Sequence, residues 1–228
     1  MKRSCRLLAG LALWLGLTGP VLAVDTLPTL AVGDLVFIRV PYKPFREVAD
    51  ATGSWTNHVG VIVSTEGGQV QVAESTLPLS RVTPLERFVD RSEGGRVAVR
   101  RLADALTPQQ AAGVGTAARA RLGVRYDTGF DLHSRGQFCS RFVHEVLLEA
   151  TGQRVGQVQT FAQQLQERPD AGLGFWRLWY LGRIPWQRET VTPASMLLSP
   201  ALQTVFDGVV ASARSASMPA ATRPRDTP

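Results

Sequence analysis

The sequence predicts a single α+β domain with an antiparallel sheet. Short segments rich in β-branched residues are concentrated between residues 34 and 100, and segments with helical periodicity follow after residue 107. Strands and helices that are separated in this way along a chain are typical of α+β domains. The chain has 228 residues, of which 44% are hydrophobic and 19% charged, so it can bury a sizeable core and is too apolar to be disordered.

Four segments are predicted to be β-strands, because β-branched residues dominate them and glycine-containing turns separate them. His58–Ser64 and Gln69–Glu74 are joined by a short segment that contains two glycines, which indicates a β-hairpin. The four predicted strands are 34–40, 58–64, 69–74 and 96–100.

Helical patterns occupy the second half of the chain. Thr107 and Pro108 supply an N-cap and a first-turn proline for a helix that ends before Gly123. A second helix is predicted from about Cys139 to Ala150, because apolar residues recur there at helical spacing. Its apolar positions are Phe142, Val143, Val146, Leu147 and Ala150. Further helical patterns cover 160–167 and 194–209, with an aromatic-rich segment at 175–180 between them.

Both ends of the chain are predicted to lie outside the folded domain. Three basic residues precede an apolar run at 7–22, and small residues at Val21 and Ala23 complete the pattern of a secretory signal peptide over residues 1–23. The alternative is an uncleaved anchor. Residues 24–209 would form the domain, and the Ala-, Ser-, Pro- and Arg-rich residues 210–228 a disordered tail. We therefore expect an exported, periplasmic protein with no membrane-spanning segment after cleavage.

The charge and the motifs exclude several functional classes. Removal of residues 1–23 would leave 22 basic and 19 acidic residues, a net charge of +3, instead of +6. The basic residues are scattered and not interleaved with aromatic residues, so nucleic-acid binding is not expected. No phosphate loop, dinucleotide fingerprint or metal-ligand spacing is present, so neither a cofactor nor a metal is implied. No oligomeric state follows from the sequence.

Cys139 is the first candidate catalytic residue. Cleavage would remove Cys5 and leave Cys139 as the single thiol, at the start of a predicted helix where the partial positive charge lowers a thiol pKa. A cysteine nucleophile needs a base. His144 would point about 140° away around the helix, and His133 lies in a polar loop. His58 opens a strand and is the best candidate, whereas a merely buried Cys139 is the alternative.

Glu74 is the candidate partner of His58. If Thr65–Gly67 formed a three-residue loop, Ser64 would pair with Gly68 and His58 with Glu74, which would place both side chains on one face. A four-residue loop would separate them. The alternative for Glu74 is a surface carboxylate at a strand end.

Several motifs resemble those of a known enzyme family. Gly33–Phe37, His58–Ile62 and Phe138–Ser140, with Tyr126 upstream of the cysteine, resemble the corresponding segments of NlpC-type cysteine peptidases. In those enzymes the cysteine segment comes first, whereas here it comes last. The chain therefore resembles the circularly permuted papain-like amidases of the YiiX and YebB group, which are related to lecithin:retinol acyltransferase. The resemblance extends from about Val32 to Leu198, with 175–193 closest to the YebB-like branch.

The resemblance implies a permuted papain-like fold, with an antiparallel sheet packed against the helix that carries the nucleophile. It assigns Cys139 as nucleophile, His58 as base and Glu74 as the third residue, although many NlpC-type enzymes have His, Asn or Gln there. Tyr126 would lie near the oxyanion, and Trp55 could form a wall of the cleft. The alternatives for these two residues are a core tyrosine and a packing tryptophan.

The expected function is that of an exported cysteine hydrolase that cleaves an amide bond through an acyl-enzyme. Peptidoglycan stem peptides are the leading substrate hypothesis, because an exported enzyme meets them first. The alternatives are a lipid-directed acyl hydrolase or acyltransferase, and a catalytically silent module that binds a component of the cell envelope.

Overall fold

The helices and strands were located in a computed structural model that describes residues 26–210. The predicted signal peptide and residues 211–228 of the predicted tail lie outside the described residues. The strands are β1 Leu35–Ile38, β2 His58–Ser64, β3 Gln71–Glu74, β4 Arg81–Pro84, β5 Arg96–Leu102, β6 Val158–Thr160, β7 Glu189–Val191 and β8 Leu202–Val209. The helices are α1 Lys43–Thr52, α2 Leu85–Val89, α3 Pro108–Arg119, α4 Cys139–Thr151, α5 Phe161–Glu167, α6 Gly174–Trp179 and α7 Pro193–Leu197. Within residues 26–210, no helix has the length and apolar character that crossing a membrane requires.

The centre of the fold is a six-stranded antiparallel sheet with the order β4-β3-β2-β1-β5-β8. The four residues of β1 are fully buried, as expected for a central strand that is covered on both faces. A separate two-stranded sheet pairs β6 with β7. The predicted α+β class with an antiparallel sheet is confirmed.

Helices α3 and α4 pack against each other, and α4 also packs against β2. The predicted apolar face of α4 is buried, because Phe142, Val143, Val146 and Leu147 are inaccessible to solvent. The predicted N-cap of α3 is also present: the Thr107 hydroxyl accepts a hydrogen bond from the Gln110 backbone N–H. The helix that begins at Cys139 is thereby fixed with its N-terminus at the end of β2 where His58 lies.

The predicted helix at 194–209 is wrong. Only α7 is helical there, and the chain then forms β8, the edge strand paired with β5. The Ser199-Pro200 dipeptide explains the break, because a proline disfavours helical backbone in the preceding residue and provides no N–H. After it, β-branched and aromatic residues at 204–206 favour a strand. Val210, the first residue of the predicted tail, is still buried and donates its N–H to the Gly95 carbonyl.

Helix α1 was not predicted, and it contributes to the site. It begins at Lys43-Pro44, where the proline occupies a first-turn position, and it ends at Gly53, which has a φ of 61°. Phe45 and Ala49 are the buried residues of its inner face. The helix crosses from β1 to β2 and lies beside the start of β2.

Candidate active site

The predicted hairpin loop between His58 and Glu74 is wrong in length. Ser64 lies opposite Gln71 instead of Gly68, so residues 65–70 form a longer loop. An even number of loop residues would by itself place the two side chains on opposite faces of the sheet.

A β-bulge restores the predicted face. Between Ser64 and Ile62 the register shifts by one residue, so Ile62 pairs with Val72 and Val61 with Ala73. An even loop and one bulge together have the same effect on side-chain direction as the odd loop that was predicted. His58, Ile62, Val72 and Glu74 therefore share one face, as predicted, for a different reason.

Gly60 provides room beside His58. If the register of Val61 and Ala73 is continued by one residue, Gly60 lies opposite Glu74, so the predicted direct pairing of His58 with Glu74 is wrong. A Cβ atom at Gly60 would lie 2.9 Å from Cε2 of Phe88, closer than a side chain tolerates. Its absence lets the Phe88 ring stack on the His58 imidazole, with the ring centroids 5.5 Å apart.

His58 and Glu74 form a buried hydrogen bond. Nε2 of His58 lies 2.6 Å from Oε2 of Glu74, and the two side chains are 1% and 0% exposed. Burial raises the pKa of Glu74, but the hydrogen bond and charge of His58, with Arg91 and Thr83, outweigh burial and hold the pKa at about 2. Glu74 is therefore a carboxylate at neutral pH. It fixes the ring so that Nε2 carries the proton and Nδ1 faces away from the carboxylate.

Cys139 is the first residue of α4 and is 4% exposed. Burial raises its pKa, but the hydrogen bond and charge of His58 and the backbone N–H groups of Val59 and Ser140 outweigh burial and lower the pKa below the usual value of a thiol. Nδ1 of His58 is buried and makes no hydrogen bond of ordinary length with a described residue. Interaction with the Cys139 side chain raises the pKa of His58, and because Nε2 is bonded to Glu74, Nδ1 is the ring nitrogen left for the sulfur.

The cysteine and histidine stabilise each other in their charged forms. Burial lowers the pKa of His58, but its interactions with Cys139 and Glu74 outweigh burial and raise the pKa above 6.5. A lowered thiol pKa and a raised imidazole pKa both favour a thiolate–imidazolium pair. Such a pair is a nucleophile that is already deprotonated, beside a proton donor for the leaving group.

Arg91 and Thr83 are site residues that the sequence analysis missed. Nη2 of Arg91 lies 2.9 and 2.8 Å from the two carboxylate oxygens of Glu74, and the Thr83 hydroxyl donates to Oε1 at 2.7 Å. The Arg91 guanidinium also lies over the Phe88 ring, 4.9 Å from its centroid. Arg91 thus neutralises the buried Glu74 carboxylate and supports the ring that stacks on His58. The ion pair between Glu74 and Arg91 could not be predicted from local sequence, because Glu74 ends β3 whereas Arg91 follows α2.

Tyr126 lies close enough to Cys139 for the two groups to interact, and its role at the oxyanion stays a prediction. Its hydroxyl is buried and has no hydrogen-bond partner among the described residues. Burial, followed by the negative charge of the Cys139 thiolate, raises the pKa of Tyr126 well above its usual range, so the phenol stays protonated. Edge contacts with Phe45 and Phe130 hold its ring. An unpartnered O–H donor next to the nucleophile is available for an oxyanion.

Trp55 is not brought to the site. It is absent from the residues that line the pocket at Cys139, and its ring instead lies under the Arg96 guanidinium, 4.4 Å from it. The expectation that Trp55 forms a wall of the cleft is therefore wrong. Trp55 precedes β2, and its ring packs against Arg96, the first residue of β5.

The other two histidines are occupied elsewhere. Nδ1 of His144 lies 2.8 Å from the Val155 carbonyl oxygen, a hydrogen bond that is typical of a histidine buried for packing. His133 is exposed, with Nε2 2.7 Å from Oε2 of Glu189. The choice of His58 as the candidate base is consistent with these positions.

The pocket beside Cys139 is apolar. The empty space inside it, together with the open solvent at its mouth, amounts to about 800 Å³, and its described lining contains no Asp, Glu, Lys, Arg or His. Helix α1, α5 and the segment 173–186 provide most of its walls, and Tyr126 and Cys139 also line it. The lining aromatic residues are Phe45, Tyr126, Phe130, Phe138, Phe161, Trp176, Tyr180 and Trp186.

Two relatives in Escherichia coli resemble this chain. The YiiX protein of strain K12 is 28% identical over 173 residues, which cover 76% of this chain and 84% of YiiX. A crystal structure described as the metalloprotein YiiX of strain O157:H7 superimposes with a TM-score of 0.69 at 25% identity, covering 78% of this chain and 98% of that one.

The metal in that description has no counterpart in the side chains described here. Within residues 26–210, no group of three His, Cys, Asp or Glu side chains is arranged to hold a metal ion. The buried carboxylate of Glu74 is instead bonded to His58, Thr83 and Arg91.

A sequence model of one protein family matches most of the chain. The sequence model described as permuted papain-like amidase enzyme, YaeF/YiiX, C92 family, matches residues 29–206, which include all of the candidate site residues. The fold, with the cysteine helix after the strands that carry the histidine and the carboxylate, has the permuted order that this description requires. The chain therefore belongs to the YaeF/YiiX family of permuted papain-like amidases.

Proposed function

We propose that this protein is a thiol-dependent hydrolase that cleaves an amide bond through an acyl-enzyme on Cys139. The observation that carries the proposal is the buried chain of interactions from Cys139 through His58 to Glu74, beside an apolar pocket that Cys139 lines. Membership of an amidase family supports cysteine hydrolase chemistry in general.

In the first half-reaction, the Cys139 thiolate attacks the amide carbonyl carbon and a C–S bond forms. The oxyanion that develops accepts hydrogen bonds from the Tyr126 hydroxyl and from backbone N–H at the start of α4. The C–N bond then breaks, and the His58 imidazolium gives its Nδ1 proton to the leaving amine.

In the second half-reaction, neutral His58 accepts a proton from water, and the resulting hydroxide attacks the thioester carbon. The C–S bond breaks, a carboxylic acid leaves, and the thiolate–imidazolium pair is restored. Glu74 and Arg91 take part without changing protonation state, because the pKa of Glu74 is about 2 and the carboxylate stays charged throughout.

For the substrate we put forward two candidates. Peptidoglycan stem peptides fit an exported amidase, and export itself is part of this proposal. The pocket favours the second candidate, an amide whose acyl part is a long apolar chain. Stem peptides carry free carboxylates, and an uncharged aromatic pocket offers these groups no partner, whereas an alkyl chain gains about 0.8 kcal/mol per buried methylene.

Trapping of the acyl-enzyme tests the proposal. The chain would be incubated with cell-envelope extract, quenched in acid and digested, and the mass added to the Cys139 peptide would be determined. A fatty-acyl mass supports the lipid substrate and a peptidyl mass the stem peptide. Tyr126→Phe, which keeps the thiol, should slow formation of the adduct, and Cys139→Ser should not form the thioester. Absence of any adduct, with no amide hydrolysis in the extract, would support a silent binding module.

A further inference from the structure

Residues 177–186 place large apolar side chains in solvent around the pocket. Leu178 and Leu181 are 77% and 88% exposed, and Trp179 and Trp186 are also among the exposed large apolar residues. Leu181 has a φ of 50°, an unfavourable backbone conformation for leucine. Neither packing nor local geometry explains a leucine at this position. We call Arg177, Leu178, Trp179, Leu181, Arg183 and Trp186 the 177–186 surface.

The charge of this surface has one sign. Between Ala171 and Arg188 the sequence has three arginines and no aspartate or glutamate. Arg177 and Arg183 are exposed, and neither guanidinium makes a hydrogen bond or an ion pair with another described residue. The third arginine, Arg188, forms an ion pair with Asp131, whose Oδ2 lies 3.6 Å from its Nε. Two unpaired cations therefore flank the exposed apolar side chains.

The same segment forms the wall of the pocket. Trp176, Tyr180, Ile184 and Trp186 line it, while residues between them in sequence point to solvent. Trp179 is fixed by its Nε1–H, which donates to the Thr128 carbonyl at 3.0 Å. The exposed apolar side chains are thus continuous with the apolar interior that leads to Cys139.

We propose that the 177–186 surface docks the protein on a bilayer that contains anionic phospholipids. Tryptophan, leucine and arginine side chains partition together at the boundary between headgroups and acyl chains, and anionic headgroups attract the arginines. An acyl chain could then pass from the bilayer into the pocket without crossing water. This inference deepens the proposed function and rests on it for the identity of the substrate.

A second copy of this chain is a poorer occupant. A two-fold interface would bring each surface against itself and place the unpaired arginines Arg177 and Arg183 of the two copies near one another. Repulsion between like charges opposes such a contact, whereas it supports binding to an anionic bilayer.

Vesicle binding by the full chain tests the proposal. The chain should bind phosphatidylglycerol-containing vesicles more tightly than phosphatidylcholine vesicles. Leu181→Ser should weaken binding about tenfold, the value of one buried leucine. The matched control is Leu198→Ser, which removes a leucine that is 81% exposed outside this surface and should leave binding unchanged. Equal losses in the two variants, or none in either, would overturn the proposal.

The electrostatic part is tested by charge-matched pairs. Arg177→Gln with Arg183→Gln should weaken binding to phosphatidylglycerol vesicles about thirtyfold, since each arginine near the surface contributes about a factor of five. Arg87→Gln with Arg119→Gln removes the same charge from exposed positions on α2 and α3 and should have little effect. If both pairs reduce binding equally, only the net charge matters and the surface has no special role.

A local measurement separates binding through this surface from binding through the apolar run at 7–22. Lipids with brominated acyl chains should quench tryptophan emission, and Trp179→Phe should remove part of that quenching. Identical quenching in both proteins, or self-association that Leu181→Ser abolishes, would contradict docking on lipid. Cys139→Ser should bind vesicles like the unmodified chain. If the unmodified chain hydrolyses a soluble amide but does not bind vesicles, the docking surface alone is refuted and the proposed function stands.

Discussion

Replacement of Glu74 by glutamine gives the most direct test of the buried site. Glutamine has nearly the same shape, so Glu74→Gln removes the negative charge and keeps most of the packing. It leaves the Arg91 guanidinium without its carboxylate and gives His58 Nε2–H a neutral acceptor. We expect a folded protein with a weaker base, and a rate of amide hydrolysis lower by about 10²-fold or more.

The magnitude of the effect on stability follows from the pKa of Glu74. Folding lowers this pKa from 4.5 to about 2. This change in pKa corresponds to about 3 kcal/mol of stabilisation when the carboxylate is charged. The folded pKa is the lower one, so this contribution is present above pH 4.5 and is lost as the pH falls through about 2. The pKa of His58 is raised, so its contribution is present below 6.5 and is lost as the pH rises through its folded value. The interaction between His58 and Glu74 contributes to both pKa shifts, so the two contributions to stability are not added.

The assay is urea unfolding of the two proteins at a series of pH values. The difference in free energy of unfolding between the unmodified chain and Glu74→Gln should be largest between about pH 4.5 and 6.5. It should shrink toward pH 2, and again at alkaline pH as His58 loses its proton. The loss of about 3 kcal/mol should leave a folded protein, because domains are usually stable by 5–15 kcal/mol. A difference that does not change with pH, or full activity in Glu74→Gln, would refute the ionic role of Glu74.

Four further outcomes are expected. Iodoacetamide should alkylate Cys139 at about pH 6 to 7, below the range of a free thiol, and His58→Ala should move the rate profile to higher pH; a thiol that reacts only after unfolding would make Cys139 a core residue. Tyr126→Phe should lower kcat about 10²-fold with little change in KM, as for loss of one oxyanion donor, and an unchanged kcat would identify a packing tyrosine. Arg91→Gln should move the pH profile of kcat/KM to higher pH, because a Glu74 charge without its cation favours the imidazolium form of His58. Arg91→Lys should preserve the profile, and equal profiles in the two variants would mean that Arg91 has only a structural role. N-terminal sequencing of the protein recovered outside the cytoplasm should begin near Val24, and recovery of residues before Leu7 would favour an anchor.

Local features of the sequence determined the candidate catalytic residues. The helical spacing after Cys139 defined α4 and placed the cysteine at its N-terminus, and the β-branched pattern gave β2 the bounds His58–Ser64 that the structure has. Both inferences use periodicities that neighbouring residues impose on a helix or a strand, so they need no knowledge of distant parts of the chain. The prediction that His58 and Glu74 share a face of the sheet depended only on the alternation of side chains along a strand.

How the two side chains come to share a face, and what surrounds them, depends on contacts between distant segments. The loop at 65–70 and the bulge beyond it together preserve the shared face, and a bulge leaves no clear pattern in a single sequence because it depends on how two strands pair. Arg91 reaches Glu74 from the loop after α2, so the neutralisation of the buried carboxylate depends on a contact between two segments whose relative position the sequence does not show. The pocket likewise forms where α1, α5 and the segment 173–186 meet. The sequence indicated which residues are candidates for cysteine hydrolase chemistry. Long-range packing set the direction of their pKa shifts, the contacts that support them and the apolar space beside the sulfur, because burial and Coulomb interactions depend on distances between residues that are far apart in the chain.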